Sequence, residues 1–181
     1  MIFVQFFLII NLITQTMIRK NIRSINLFFS AVLIISLVSC DPSKKLTREE
    51  DDMIQDYLSQ HSNLNFVLKA SGLYYLEVVS GTGLTPVISD SAFVRYTGKF
   101  LDGTVFDSNV GAGQPLYAFT VGQNITGFDE GIMLMKADGK STLLIPSELG
   151  YGTYGSPPYI QGYTPLLFDI ELIKVVPHSV K

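Results

Sequence analysis

Tyr96, Phe106, Asp107 and Tyr151 are the residues of this 181-residue chain whose types and spacing could do chemistry. Asp107 sets a carboxylate directly beside the apolar ring of Phe106, and Tyr151 stands between Gly150 and Gly152. A carboxylate beside an apolar strand and a tyrosine between glycines are poor choices for packing alone. Tyr96 on a buried strand face, with Phe106 and Asp107 nearby, makes an aromatic pocket with two polar tips. Covalent and metal chemistry have little to work with. The chain holds two histidines, His61 and His178, and one cysteine, Cys40. His61 falls in a helical spacer and His178 in the C-terminal tail, so neither a His-based metal site nor a Ser-His-Asp relay is expected, and no cofactor is implied. A pocket of Tyr and Phe with few polar groups suits a reaction that breaks no covalent bond.

The elements that must position these residues follow from local pattern. Ala92 to Ser108, AFVRYTGKFLDGTVFDS, reads as two short strands turning at Asp102-Gly103. Asp-Gly between alternating runs is a hairpin signal, because Gly accepts the positive φ of a tight turn. Val94, Tyr96 and Phe100 share one face, while Arg95, Thr97 and Lys99 share the other. Simple alternation puts Phe106 and Asp107 on opposite faces, so both serve one pocket only where the strand bulges or ends. Strands are expected at 73–79, 92–100, 104–108, 117–121, 141–145 and 166–176, with one helix near 125–135 and a turn region over 62–72. Short strands plus one helix imply an α+β fold, a twisted antiparallel sheet wrapped as a half-barrel over that helix. Upstream, Thr47-Arg48-Glu49-Glu50 matches a capping box, and Met53, Ile54, Tyr57 and Leu58 form one apolar stripe. These predict a helix over residues 47 to 60. The acids from Glu49 to Asp52 read as its solvated start, since they lack the spacing of a calcium loop. Gly81-Thr82-Gly83 lacks the further glycines of a phosphate cradle.

The formal charge is -3, but the ends differ. Residues 1–39 contain Arg19, Lys20 and Arg23 and no acid, which leaves 10 basic against 16 acidic side chains in the remainder. That balance argues against nucleic acid as a partner. Met17 to Arg23 is a basic run, Leu27 to Val38 an apolar stretch of signal-peptide length, and Leu37-Val38-Ser39-Cys40 closes it. The pattern looks like a bacterial lipobox, in which Cys40 is lipidated and becomes the mature N-terminus; a plain transmembrane anchor carrying an unmodified thiol is the blander reading. Met1 to Ile13 is apolar with no basic residue ahead of it. Either Met17 is the true start, or the whole stretch is one long or two-part insertion signal. The layout expected is therefore a signal region at 1–39, a lipid-anchored tether and helical spacer at 40–71, a domain at 72–176 and a tail at 177–181.

Tyr96-Thr97-Gly98, the turn, and Asp102-Gly103-Thr104-Val105-Phe106-Asp107-Ser108 resemble the FKBP-type peptidyl-prolyl cis-trans isomerases. The likeness continues in order through Gln114 to Gly122, Ile125 to Met135, Ile145 to Gly152 and Leu166 to Leu172. Five motifs over roughly a hundred residues make a domain-length match. The resemblance implies a peptidyl-prolyl isomerase whose clients are proline-containing polypeptides, and macrolide ligands of the rapamycin type. By the same resemblance Tyr96, Asp107 and Tyr151 are catalytic, and Phe106, Tyr117, Ile125, Phe128, Ile160 and Phe168 bind substrate. Phe128 is then the floor under the proline ring, the Ile125 N–H and the Tyr151 hydroxyl hold carbonyls, and Asp107 polarises the twisted amide or orients Tyr96. Core packing alone could also explain Tyr96 and Phe168, and for Phe106 the two readings are level. Rotation about an X–Pro bond crosses a barrier of roughly 18–20 kcal/mol and needs neither base nor nucleophile. With the lipobox, the reading is an envelope isomerase anchored to a membrane. A non-catalytic proline-segment binding module and a structural lipoprotein of an envelope machine, such as a gliding complex, are the alternatives. Phe128 replaces the Trp of well-known members, Asn124 a common aliphatic residue, and the loop over 153–165 departs from the usual Pro-Pro pattern.

Overall fold

The computed structural model describes residues 42–179. The expected signal region and the expected lipidation site, Cys40, lie outside them. Two α-helices and seven strands follow in the order α1 (Pro42–Gln60), β1 (Val67–Leu68), β2 (Tyr74–Val79), β3 (Ser91–Lys99), β4 (Val105–Ser108), β5 (Tyr117–Thr120), α2 (Thr126–Leu134), β6 (Gly139–Ile145) and β7 (Leu166–Val176). A 3₁₀ turn, Ser147–Leu149, follows β6. The strands form one antiparallel sheet in the order β1-β2-β6-β7-β3-β4, with β5 also pairing with β3. The architecture is the expected α+β sheet over a single central helix. Most strand ends fall within two residues of expectation. The two-residue β1 was not anticipated and lies in the stretch read as a turn.

Sheet and α2 meet in the main core, where Phe128 and Ile132 of the helix are buried in one cluster with Val94, Leu143, Ile145 and Phe168. Two glycines let the helix lie this close. A Cβ at Gly131 would fall 2.2 Å from Leu143 Cδ1, and one at Gly127 2.5 Å from Ile145 Cγ2, far inside van der Waals contact.

The N-terminal helix departs from expectation at its start. α1 begins at Pro42, five residues before the Thr47 capping box. A proline is tolerated in a first turn because its missing N–H would be unpaired there anyway. Thr47 is interior instead, and its hydroxyl donates to the Ser43 carbonyl at 3.0 Å, one turn back. Three of the four stripe residues dock on the sheet: Ile54 is buried with Leu144 of β6 and Leu167 of β7, flanked by Tyr57, Leu58 and Tyr74, while Met53 stays exposed. Glu50 corrects the reading of a solvated acidic start. It is only 6% exposed, because it lies on the docked side of the helix. No helix among the described residues is long and apolar enough to cross a membrane.

Candidate active site

Gly98 and a bulge in β4 create the site. Gly98 pairs with Asp107 and Lys99 with Val105, so Phe106 is an extra residue on β4. The bulge turns both Phe106 and Asp107 toward one cavity, which strict alternation forbids. The Phe106 and Phe168 rings then cover Gly98 so closely that a Cβ there would stand 2.7 Å from Phe106 Cζ and 3.0 Å from Phe168 Cε1. Phe168 itself pairs with Gly98 across the β3–β7 ladder.

The cavity has a volume of about 270 Å³. Phe128, in the first turn of α2 and 4% exposed, forms its base. Its ring centroid lies 5.2 Å from Phe168, 5.6 Å from Phe119 and 6.2 Å from Tyr96, all near edge-to-face. Phe106 extends the wall at 5.7 Å from Phe168, and Tyr117 stands 5.6 Å from Tyr96. Edge-to-face rings place positive edges on negative faces, so the arrangement is rigid as well as apolar.

Polar groups stand at the margin. The Tyr96 hydroxyl donates to Asp107 Oδ2 at 2.6 Å. Burial holds the Tyr96 phenol well above the usual tyrosine range, and the hydrogen bond and negative charge of Asp107 push it further the same way. Tyr151, 38% exposed, and the backbone of Ile125 complete the opening. Ile125 caps α2 in an extended conformation, with its carbonyl accepting from Phe128 N and Asp129 N. Among the described residues, neither the Ile125 N–H nor the Tyr151 hydroxyl has a partner, so two donors remain available at the mouth of an aromatic cavity.

The structure brings Tyr96, Phe106, Asp107, Tyr117, Ile125, Phe128, Tyr151 and Phe168 to this one cavity. Ile160, on the 153–165 loop, is not in its lining, and its side chain is buried with the main core. Two residues that hold the site escaped sequence reasoning. Asn109 plugs the gap on β3 between the β5 and β4 pairings. Its Oδ1 accepts from Tyr96 N at 2.7 Å, its Nδ2 donates to Val94 O at 3.0 Å and Pro115 O at 3.1 Å, and its own N–H donates to Tyr96 O at 3.2 Å. Asp129 is buried and accepts from Asn124 N at 2.8 Å, while Asn124 Oδ1 accepts from the Tyr117 hydroxyl at 2.9 Å. Burial, with the charge of Asp129 next, raises the Tyr117 phenol above its ordinary value. For Asn109 the only local signal is an amide directly after a strand. For Asp129 it is an acid in the first turn of a helix, where the dipole already explains it.

An antiparallel sheet over one helix thus carries an aromatic cavity with two donors free at its mouth. The comparisons agree. Residues 83–173 match the family model described as FKBP-type peptidyl-prolyl cis-trans isomerase, and the chain belongs to that family. It is 35% identical over 164 residues to a probable FKBP-type peptidyl-prolyl cis-trans isomerase of Haemophilus influenzae, covering 91% of this chain and 66% of that protein. It is 41% identical over 106 residues to the FKBP-type 22 kDa peptidyl-prolyl cis-trans isomerase of Escherichia coli, covering 59% of this chain and 51% of that one. The chain thus spans about half to two thirds of the length of these curated relatives. Among solved structures, a peptidyl-prolyl cis-trans isomerase of Pseudomonas syringae superposes with a TM-score of 0.66 at 28% identity, over 77% of this chain and 99% of that one.

Proposed function

We propose that this chain catalyses cis-trans isomerisation of X–Pro bonds in polypeptides, without a covalent step or cofactor. The observation that carries the reading is the Tyr96–Asp107 hydrogen bond set over the Phe128 floor, with the Ile125 N–H and Tyr151 hydroxyl unspent beside it. The planar amide is stabilised by a charge-separated resonance form, which water favours and an apolar cavity does not. A proline ring seated on Phe128 between Phe106, Tyr117 and Phe168 brings that amide into the cavity. Donors aimed at the carbonyls of the twisted form then bind the transition state better than either ground state. Asp107 holds the Tyr96 phenol in place and supplies the negative field beside the rotating bond. The same cavity suits macrolides of the rapamycin type.

The lipobox supports placing this activity at a membrane of the cell envelope, with Cys40 acylated and clients folding outside the cytoplasm. A second reading, in which the site holds proline segments without turning them over, draws on Tyr154 and Tyr159, which follow Tyr151 in the chain and are exposed at 89% and 81%. A protease-coupled isomerisation assay with the full chain and Pro-containing tetrapeptides decides between them. Acceleration well above the uncatalysed tens to hundreds of seconds supports catalysis. Tight peptide binding with no acceleration supports the holding module. Mass spectrometry of the N-terminus from native membranes tests the anchor, and an unmodified Cys40 still preceded by residues 17–39 overturns it.

A further inference from the structure

We infer that Glu50, on the N-terminal helix and outside the family-matched residues 83–173, is a positioning residue for Tyr151. The inference rests on the site reading above, and its test is built to fail separately from it.

The Glu50 carboxyl group is buried, and both its oxygens go to one residue. Oε1 accepts from Ser147 N at 2.5 Å and Oε2 from Ser147 Oγ at 2.6 Å. Helix docking did not require this, since Ile54 and its apolar neighbours already fasten α1 to the sheet. A buried carboxyl is costly to place in a docking face and is retained there only with its hydrogen bonds satisfied. What Glu50 adds is a grip on the loop after β6. Ser147 passes that grip on through its carbonyl, which accepts from Gly150 N at 2.9 Å and from Gly152 N at 2.7 Å. Tyr151 lies between those two glycines. Gly152 sits at φ +65° and Gly150 near φ -109°, ψ -116°, so the backbone on either side of Tyr151 has little stiffness of its own. Its direction is set by the bonds around it: Gly155 N and Tyr163 N donate to the Tyr151 and Gly152 carbonyls on the far side, each at 3.1 Å, while the N–H groups of both glycines converge on the residue Glu50 clamps. The path from helix to hydroxyl is Glu50, Ser147, then Gly150 and Gly152, with Tyr151 carried between them.

The test uses the full-length chain labelled with 3-fluorotyrosine, the Tyr151 ¹⁹F signal being assigned by its loss in Tyr151→Phe. Glu50→Ala is expected to shift or broaden that signal and to lower kcat/KM on a proline tetrapeptide about fivefold or more. Glu50→Gln is expected to restore most of both, because its carbonyl still accepts from Ser147 N and its NH₂ donates to the hydroxyl oxygen. In a Tyr151→Phe background, Glu50→Ala should change kcat/KM less than about twofold, as coupled residues behave in a double-mutant cycle. Should Glu50→Ala fail to fold, Ser147→Ala, which removes one of the two bonds from the opposite side, takes its place in every arm. An unmoved Tyr151 signal, or losses that multiply independently, overturns the inference. A Tyr151 signal that responds to Glu50 while Tyr151→Phe keeps full activity leaves the positioning intact and sinks the catalytic reading of the hydroxyl.

Discussion

The Tyr96 hydroxyl and the Asp107 carboxylate meet at 2.6 Å although β3 and β4 are out of simple register there. The bond exists because one extra residue, Phe106, is accommodated opposite Gly98. Ring, acid and phenol therefore depend on a single bulge.

Asp107→Asn keeps shape and volume and removes charge. Its kcat/KM on a proline peptide is expected to fall by about tenfold or more, roughly 1.4 kcal/mol of transition-state stabilisation. Thermal unfolding should move little. An Asn variant as active as the parent would mean that the charge does not act on the twisted amide.

Gly98→Ala tests the bulge from the other side. The methyl group has no room beneath the Phe106 and Phe168 rings. Overpacking of this kind costs about 1–3 kcal/mol, and activity should fall further than stability because both displaced rings are pocket walls. Denaturant unfolding and the peptide assay, run on one preparation, give the two losses.

Phe128→Ala removes the ring against which Tyr96, Phe119 and Phe168 all pack. A loss of about 3–5 kcal/mol in unfolding free energy is expected, together with weaker peptide binding. A variant of unchanged stability would show that the cavity floor lies elsewhere.

The phenols of Tyr57, Tyr75, Tyr96 and Tyr117 are all raised, by burial first. The folded chain therefore binds these protons more tightly than the unfolded one. Their contribution to stability is then flat below the ordinary tyrosine value of about 10 and falls above it, where the unfolded phenols ionise and the folded ones do not. Unfolding free energy measured from pH 8 to 11.5 should decline only over the upper part of that range. A fraction of the native chain's phenolate absorbance should rise late, and Tyr96→Phe should remove part of that fraction.

Ile54→Ala asks whether α1 belongs to the folded unit. Ile54 is buried against Leu144 and Leu167, so a loss of about 2–5 kcal/mol is expected with the transition still cooperative. A negligible change would mean that α1 docks too weakly to matter in solution.

The strands were legible because their periodicity is local. β3 alternates between buried Ala92, Val94 and Gly98 and more exposed neighbours, broken only at half-buried Tyr96, and β7 runs from Leu166 to Val176 as its residues suggest. The pocket rings were legible through family likeness, the bulge only as a condition. What remained hidden was tertiary. Thr47 and Glu50 satisfy the capping-box pattern, yet helix propensity carries α1 back to Pro42, and docking turns Glu50 inward. No local pattern distinguishes that acid from the exposed Glu49 beside it. Asn109 and Asp129 spend their polar atoms on backbone groups and amides that only the folded chain brings near. Ile160, placed at the site by resemblance, is buried with the same core as Phe128 and Phe168 but does not share their place in the cavity lining.

β7 is the last strand in chain order among the described residues, yet it lies between β6 and β3. It alone joins the β1-β2-β6 half of the sheet to the half built on β3. A nascent chain emerging N-terminus first thus carries two half-sheets with nothing between them until residues 166–176 arrive. The same strand brings Phe168, so closure of the fold and completion of the pocket are one event, delayed until residues 166–176 are available. A protein whose family speeds a slow step in the folding of others is itself a late folder, dominated by non-local pairing. Pulse proteolysis of nascent chains of increasing length should find resistance arising in a single step, once β7 is out.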